Sequence, residues 1–147
     1  MTMDIQRLRS EEGFTIVEVL MAVALILVGL TALVAAAPTA IQGITGSGKQ
    51  STAVFLAEQR LEQIKAWSAS TAGGQGWATI ANGTPSTAAC CTAEAYGTIA
   101  NYGAYRREVY VSNGPTANTK NVQVRVFYAT VSGSETRSTL STLLLSE

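Results

Sequence analysis

Glu18 is the residue whose chemistry most needs an explanation. It is the only charged residue between Phe14 and Ala37, a block otherwise made of apolar and small side chains. A carboxylate inside hydrocarbon costs a few kcal/mol on insertion scales and marks a functional position. Such a group needs a proton or a partner. The sequence therefore predicts that Glu18 acts through pairing.

The composition argues against an enzyme. The chain has 147 residues, with ten Lys+Arg, ten Asp+Glu and no histidine. Missing histidine removes the usual general base near neutral pH and the commonest metal ligand. A balanced charge also argues against capture of nucleic acid, which needs a concentrated basic face. We therefore predict no catalytic residue, cofactor, metal or small-molecule substrate. The balanced charge disfavours a nucleic-acid partner but leaves a small local basic patch open.

Cys90 and Cys91 are adjacent and are the only cysteines. Neighbouring Cα atoms lie about 3.8 Å apart, closer than in most disulfides, so a bond between them would be strained. Two cysteines alone do not make a tetrahedral zinc site. An oxidising compartment favours some disulfide, and the pair has no other partner within the chain. A disulfide between the two, reduced thiols and bonds to another chain all remain open.

A stretch from Gly43 to Lys49 matches most of the phosphate-loop pattern. Gln50 stands where that pattern needs a Ser or Thr to hold magnesium. The loop should also follow a strand, and here the apolar block precedes it. We predict no nucleotide site.

The apolar block, residues 14–37, is long enough to cross a membrane. As a helix its residues would rise about 36 Å, against a bilayer core of about 30 Å. Arg7 and Arg9 precede the block, and the next basic residue is Lys49. This asymmetry favours a cytoplasmic N-terminus, although nearby acidic residues reduce it.

Two other interpretations fit the apolar block less well. A secretory signal peptide has a shorter apolar core that ends at a small-residue cleavage site. Residues 35–37, three alanines, could imitate that site, but Pro38 follows directly. A plain single-span anchor fits the length but gives no reason for Glu18.

The segment Gly13-Phe14-Thr15-Ile16-Val17-Glu18-Val19-Leu20 resembles the N-terminal signature of type IV pilins and of type II secretion pseudopilins. The resemblance implies that a prepilin peptidase cuts after Gly13 and methylates the new N-terminal Phe14. It implies that Glu18, the fifth mature residue, neutralises the N-terminal ammonium of a neighbouring subunit in a filament. Thr15 is assigned to assembly together with Glu18.

We predict an α+β, pilin-like fold: a long N-terminal helix, its first half transmembrane, packed on a small C-terminal antiparallel sheet. The predicted parts are a leader (1–13), an assembly helix (14–37), the lower half of the long helix (38–69), an irregular connector (70–103) and the sheet (104–147). Gly29 and Pro38 either interrupt the apolar helix or are tolerated within it, as Gly and Pro are in other membrane helices. Gly43, Gly46 and Gly48 should weaken the helix that follows.

The second half of the helix has one apolar stripe. Val54, Ala57, Leu61, Ile64 and Trp67 or Ser68 recur at helical spacing and should face the sheet.

The predicted connector is low in charge, rich in turn residues and expected to be exposed. Period-two alternation after it predicts strands over 107–112, around 122–128 and over about 137–145.

Two segments refine the resemblance. Residues 14–22 and 56–64 look like those of minor pilins and the related minor pseudopilins. The resemblance favours a minor pilin, with a minor pseudopilin as the alternative and a membrane-anchored periplasmic binding protein as a second one. It implies three kinds of partner: the peptidase, an inner-membrane assembly platform and other pilins or pseudopilins. The chain would start as a single-span inner-membrane protein and end in a surface pilus or a periplasmic pseudopilus.

Overall fold

The computed structural model describes residues 13–145. The chain divides into two compact units, with the boundary between Ile41 and Gln42. One helix, α1 (Ile16–Ala69), contributes to both units. The predicted leader lies outside the described residues, apart from Gly13.

Helix α1 is continuous through Gly29 and Pro38, so of the two alternatives at these positions the structure shows tolerance. The chain is also helical at the three later glycines, where the predicted weakening of the helix stays a prediction. A proline inside a helix removes one backbone donor, and the remaining hydrogen bonds can hold the helix together. Hydroxyl side chains also donate to helix carbonyls in this region. They include Thr39 to Ala36 O at 2.7 Å and Ser47 to Gly43 O at 2.9 Å.

Three strands form one antiparallel sheet in the order β1-β2-β3. They are β1 (Tyr105–Asn113), β2 (Thr119–Ala129) and β3 (Glu135–Leu145). Each contains the corresponding predicted strand almost entirely, because period-two alternation marks a sheet with one buried face. The long helix and small antiparallel sheet confirm the α+β, pilin-like fold class.

The core lies between the sheet and the part of α1 after residue 42. Helix residues Ala53, Leu56, Ala57, Leu61 and Ile64 are buried, together with five valines of β1 and β2. The predicted stripe is confirmed at Ala57, Leu61 and Ile64. Its start was wrong by about one position, because Ala53 and Leu56 are buried where Val54 was expected and Val54 is half-buried.

The connector is irregular, as predicted, but it is not exposed throughout. Ile80, Cys90, Cys91 and Ile99 belong to the hydrophobic core. The connector lies against the outer edge of β1 through two antiparallel bridges, Gly83 with Val111 and Glu94 with Arg107. It is partly buried because it covers an edge whose backbone groups would otherwise lack partners.

Arg107 joins the connector, the sheet and the helix. Its side chain is 4% exposed. Its Nε donates to Glu94 Oε2 at 2.6 Å, and its Nη1 donates to the Leu56 carbonyl at 2.8 Å. A buried guanidinium needs such partners because an unpaired charge in the core is strongly destabilising.

Replacing the carboxylate partner should therefore destabilise the fold. Glu94→Gln keeps the shape but leaves the Arg107 charge without its counter-ion, so the free energy of unfolding should fall by about 2 kcal/mol. Glu62→Gln is the matched control: Glu62 pairs with Lys65 on the exposed helix face and should cost less than about 1 kcal/mol. Denaturant unfolding in detergent, followed by tryptophan fluorescence, measures both. Equal effects would contradict the role of Glu94.

Candidate processing and assembly site

Gly13 and Phe14 lie just before α1 and are exposed. The Phe14 side chain is 81% exposed. A Cβ added at Gly13 would meet nothing within 4 Å among residues 13–145. The described part of the chain therefore leaves this junction accessible to an enzyme.

Thr15 is the N-cap of the helix. Its Oγ1 accepts a hydrogen bond from the Glu18 backbone N–H at 3.2 Å, and its carbonyl accepts one from Val19 N. A threonine followed three residues later by glutamate is the capping-box pattern, and an acidic residue in the first turn also suits the helix dipole. The prediction for Glu18 did not include this local role, although the Thr-x-x-Glu spacing indicates it.

The described part of the first unit, residues 13–41, has no buried side chain in the single chain. Every residue from 13 to 41 is exposed, including a large set of apolar side chains. Contiguous apolar surface of this extent marks a membrane or protein contact, and α1 is long and apolar enough to cross a membrane. This apolar surface therefore needs to contact lipid, neighbouring helices, or both. Glu18 is the only acidic residue on it. The set includes Phe14, Ile16, Val17, Leu20, Met21, Leu25, Ile26, Leu27, Val28, Leu33, Val34 and Ile41.

A profile of the prokaryotic N-terminal methylation motif matches residues 8–34. The match includes the junction, Glu18 and most of the apolar segment. The chain carries the prepilin signature of type IV pilins and pseudopilins. Comparisons with curated proteins and with solved structures found no match.

The prepilin signature indicates which class of protein this is and which proteins act on it or assemble with it. It points to a structural subunit and not to an enzyme. It implies processing by a prepilin peptidase and assembly with other pilins. Together with the apolar segment of α1, it fits anchoring in a membrane before assembly.

The second unit offers little for catalysis in the part that the structure describes. No group of three His, Cys, Asp or Glu residues that could hold a metal occurs there. The stretch that resembles a phosphate loop is helical, and Lys49 Nζ donates to the Ala129 carbonyl at 2.9 Å. That lysine therefore contacts the end of β2.

Three charged residues on the outer face of the sheet, Arg106, Glu108 and Glu135, form ion pairs with one another. Arg106 lies 3.6 Å from the Phe127 ring centroid and forms ion pairs with Glu108 and Glu135. Hydrogen bonds from Arg106 and from the Tyr96 hydroxyl lower the pKa of the Glu135 carboxyl to about 2. The charged groups of this cluster form ion pairs and hydrogen bonds with one another. The cluster is therefore a structural network and does not resemble a catalytic site.

Cys90 and Cys91 are joined as a disulfide in a short 3-10 turn. Cys90 is 5% exposed and Cys91 is fully buried. Cys90 also lines a cavity of about 450 Å³ together with Arg60, whose pKa is lowered by burial.

We expect the same bond in the protein isolated from its host. After unfolding in an alkylating reagent without reductant, the peptide carrying both cysteines should be unmodified and lighter by the two thiol hydrogens. Unfolding comes first because burial would slow alkylation of free thiols in the native state. Alkylated cysteines, or a dimer that reductant separates, would contradict the bond. Reduction before alkylation is the control.

Proposed function

We propose that the chain is a minor pilin, a structural subunit of a type IV pilus. A prepilin peptidase cuts it after Gly13 and methylates Phe14, and its N-terminal helix then packs among other subunits in the filament. The observation that carries this proposal is the methylation motif at residues 8–34, continuous with a helix segment that exposes all its apolar side chains and one carboxylate.

Cleavage gives Glu18 a partner that the precursor lacks. Before cleavage, the Phe14 nitrogen is part of a peptide bond and carries no charge. Cutting after Gly13 turns it into an amine that is protonated near neutral pH. In a bundle of apolar helices, the Phe14 ammonium of one subunit and the Glu18 carboxylate of its neighbour are both far from water, and each removes the other's need for a counter-ion.

The same surface favours assembly over a permanent single span. In the membrane, the apolar side chains of the first unit contact lipid, but Glu18 has no opposite charge among the described residues of that unit. Lipid cannot supply a charge-assisted hydrogen bond in the hydrocarbon region. Pairing with a neighbouring subunit therefore stabilises the filament relative to the isolated membrane form.

Deleting the gene in its native host separates a pilin from a pseudopilin. A minor pilin predicts fewer or shorter pili, with protein secretion unchanged and pili restored by the wild-type gene. Loss of secretion with pili intact would contradict the minor pilin and identify the alternative, a minor pseudopilin. A chain that keeps its leader would instead identify a membrane-anchored periplasmic binding protein.

A further inference from the structure

The two edges of the sheet differ. The edge of β1 is covered by the chain's own connector, which exchanges backbone hydrogen bonds with Arg107 and Val111 and donates one to the Val109 carbonyl. The edge of β3 has no such cover: within residues 13–145, β3 pairs with β2 alone. An open edge presents unpaired N–H and C=O groups to any strand that can approach.

The hydrogen-bond pattern identifies the β3 residues whose backbone groups point outward. Antiparallel neighbours alternate between hydrogen-bonded and non-hydrogen-bonded pairs. The backbone groups of odd-numbered residues in β1 bond the connector, so those of its even-numbered residues bond β2. The even-numbered residues of β1 stand opposite odd-numbered residues of β2. The backbone groups of even-numbered residues in β2 therefore bond β3. The bond from Thr130 N to Ser134 O agrees with this parity. The outward groups of β3 therefore belong to Arg137, Thr139, Ser141 and Leu143.

Sequence features that usually protect an edge are missing from most of β3. The strand has 11 residues, and from residue 138 to residue 145 it contains no charge, proline or glycine. Natural edges of this length are normally blunted by lysine, proline or bulges, or covered by another element. Near its start, Glu135 is occupied by Arg106.

The core is also incomplete beneath this edge. The inward side chains Thr136, Ser138, Leu140 and Thr142 are only half-buried. A cavity of about 520 Å³ opens beside the end of the strand, lined in part by Trp77 and Leu144. A further strand would place alternate side chains over these positions, and apolar ones would extend the core.

We propose that the β3 edge binds an extended segment of a different protein chain, which adds a fourth strand through backbone hydrogen bonds to Thr139, Ser141 and Leu143. This is β-strand addition, in which main-chain bonds give affinity and alternate side chains give specificity. The segment is uncharged where it faces residues 138–145 and apolar at the positions that turn toward Leu140 and Leu144.

A second copy of this chain does not fit that position. Its β1 edge is already covered by the connector. Pairing with the β3 of a second copy would not extend the core, because residues 136–142 of β3 are mostly Thr and Ser on both faces of the strand. A second copy would therefore place polar side chains where apolar ones are needed, and the occupant is a different chain.

Amide hydrogen exchange tests the edge directly. In wild-type chain purified in detergent, the amides of Thr139, Ser141 and Leu143 should exchange quickly, while those of Ser138, Leu140 and Thr142 should be protected by β2. In the membrane and sheared-filament fractions of the native host, the first three should become protected as well. Fast exchange at these three positions in both fractions would overturn the proposal. Protection in the purified chain that rises with its concentration would also overturn it, because it identifies a second copy.

A proline variant tests the same bonds genetically. Ser141→Pro removes an N–H that points outward, a change that edge strands tolerate, so the unfolding midpoint should stay near that of the wild type. Protection of Thr139 and Leu143 in the native fractions should fall by about tenfold, as expected for a weakened strand contact. Ser141→Ala, the matched control, should keep the protection. Wild-type protection in Ser141→Pro would overturn the proposal.

The two proposals fail in different ways. Absence of the wild-type chain from sheared filaments would contradict the proposed function. The exchange measurement is also made on the membrane fraction. Protection of the Thr139, Ser141 and Leu143 amides there tests the β3 edge even if the chain does not enter filaments.

Discussion

Glu18→Ala and Glu18→Gln subunits should be made, cleaved and retained in the membrane, yet enter filaments at least about tenfold less than wild type, because removing one partner of a buried charge pair costs about 3 kcal/mol or more. The apolar segment is untouched by either change, and loss of a charge eases membrane insertion. Glutamine keeps the size of the side chain but not its charge, so it should be nearly as defective as alanine. The measurement is the fraction of subunit in sheared pili relative to membranes.

The cap at Thr15 requires its own control. Thr15 Oγ1 accepts the Glu18 backbone N–H, and the Glu18 carboxylate in the first turn also suits the helix dipole, so a change of either side chain could act by loosening the first turn. Thr15→Ala removes that bond at a cost of about 1 kcal/mol and keeps the Glu18 carboxylate, while Thr15→Ser keeps both. We expect much better incorporation of Thr15→Ala than of Glu18→Gln. Equal defects would assign Glu18 to the cap, and wild-type incorporation of both Glu18 variants would remove it from the assembly contact.

Gly13→Val should abolish processing. The peptidase must accept a small residue at this junction, so the precursor should accumulate in the inner membrane, heavier by its 13-residue leader. A Cβ added at Gly13 meets nothing within 4 Å in the part of the chain that the structure describes, so a clash with the fold does not account for a defect.

Gly13→Ala is the matched control for that variant, because alanine adds one methyl group and remains small. It should be cut to the mature size more completely than the valine variant. The sizes are compared on a gel beside the wild type, and the cut position is read from the N-terminal residue. Mature-sized protein from Gly13→Val would contradict the assigned junction.

Periodic patterns explain why the fold could be predicted from the sequence. The valines of β2 alternate with polar or exposed side chains, and Ala57, Leu61 and Ile64 recur at helical spacing, so each element shows its buried face locally. The N-terminal signature was equally readable because its residues are contiguous. Phe14 and Glu18 need no tertiary contact to be recognised together.

The long-range contacts could not be predicted in the same way. Arg107 and Glu94 are 13 residues apart, and neither carries a local sign that one will be buried against the other. Burial of the connector depends on which edge of the sheet it covers, a choice made by tertiary packing. Whether α1 continues unbroken past Pro38 could not be decided from the sequence, because the rule that proline removes one hydrogen bond does not weigh the bonds that remain.

The N-terminal residue of the mature protein, isolated from its native host, tests the central claim most directly. Mass spectrometry of the N-terminal peptide should find a chain that begins at Phe14 and carries one added methyl group on its amine. A chain that begins at Met1 or Thr2 would contradict the assignment of this protein as a processed pilin subunit.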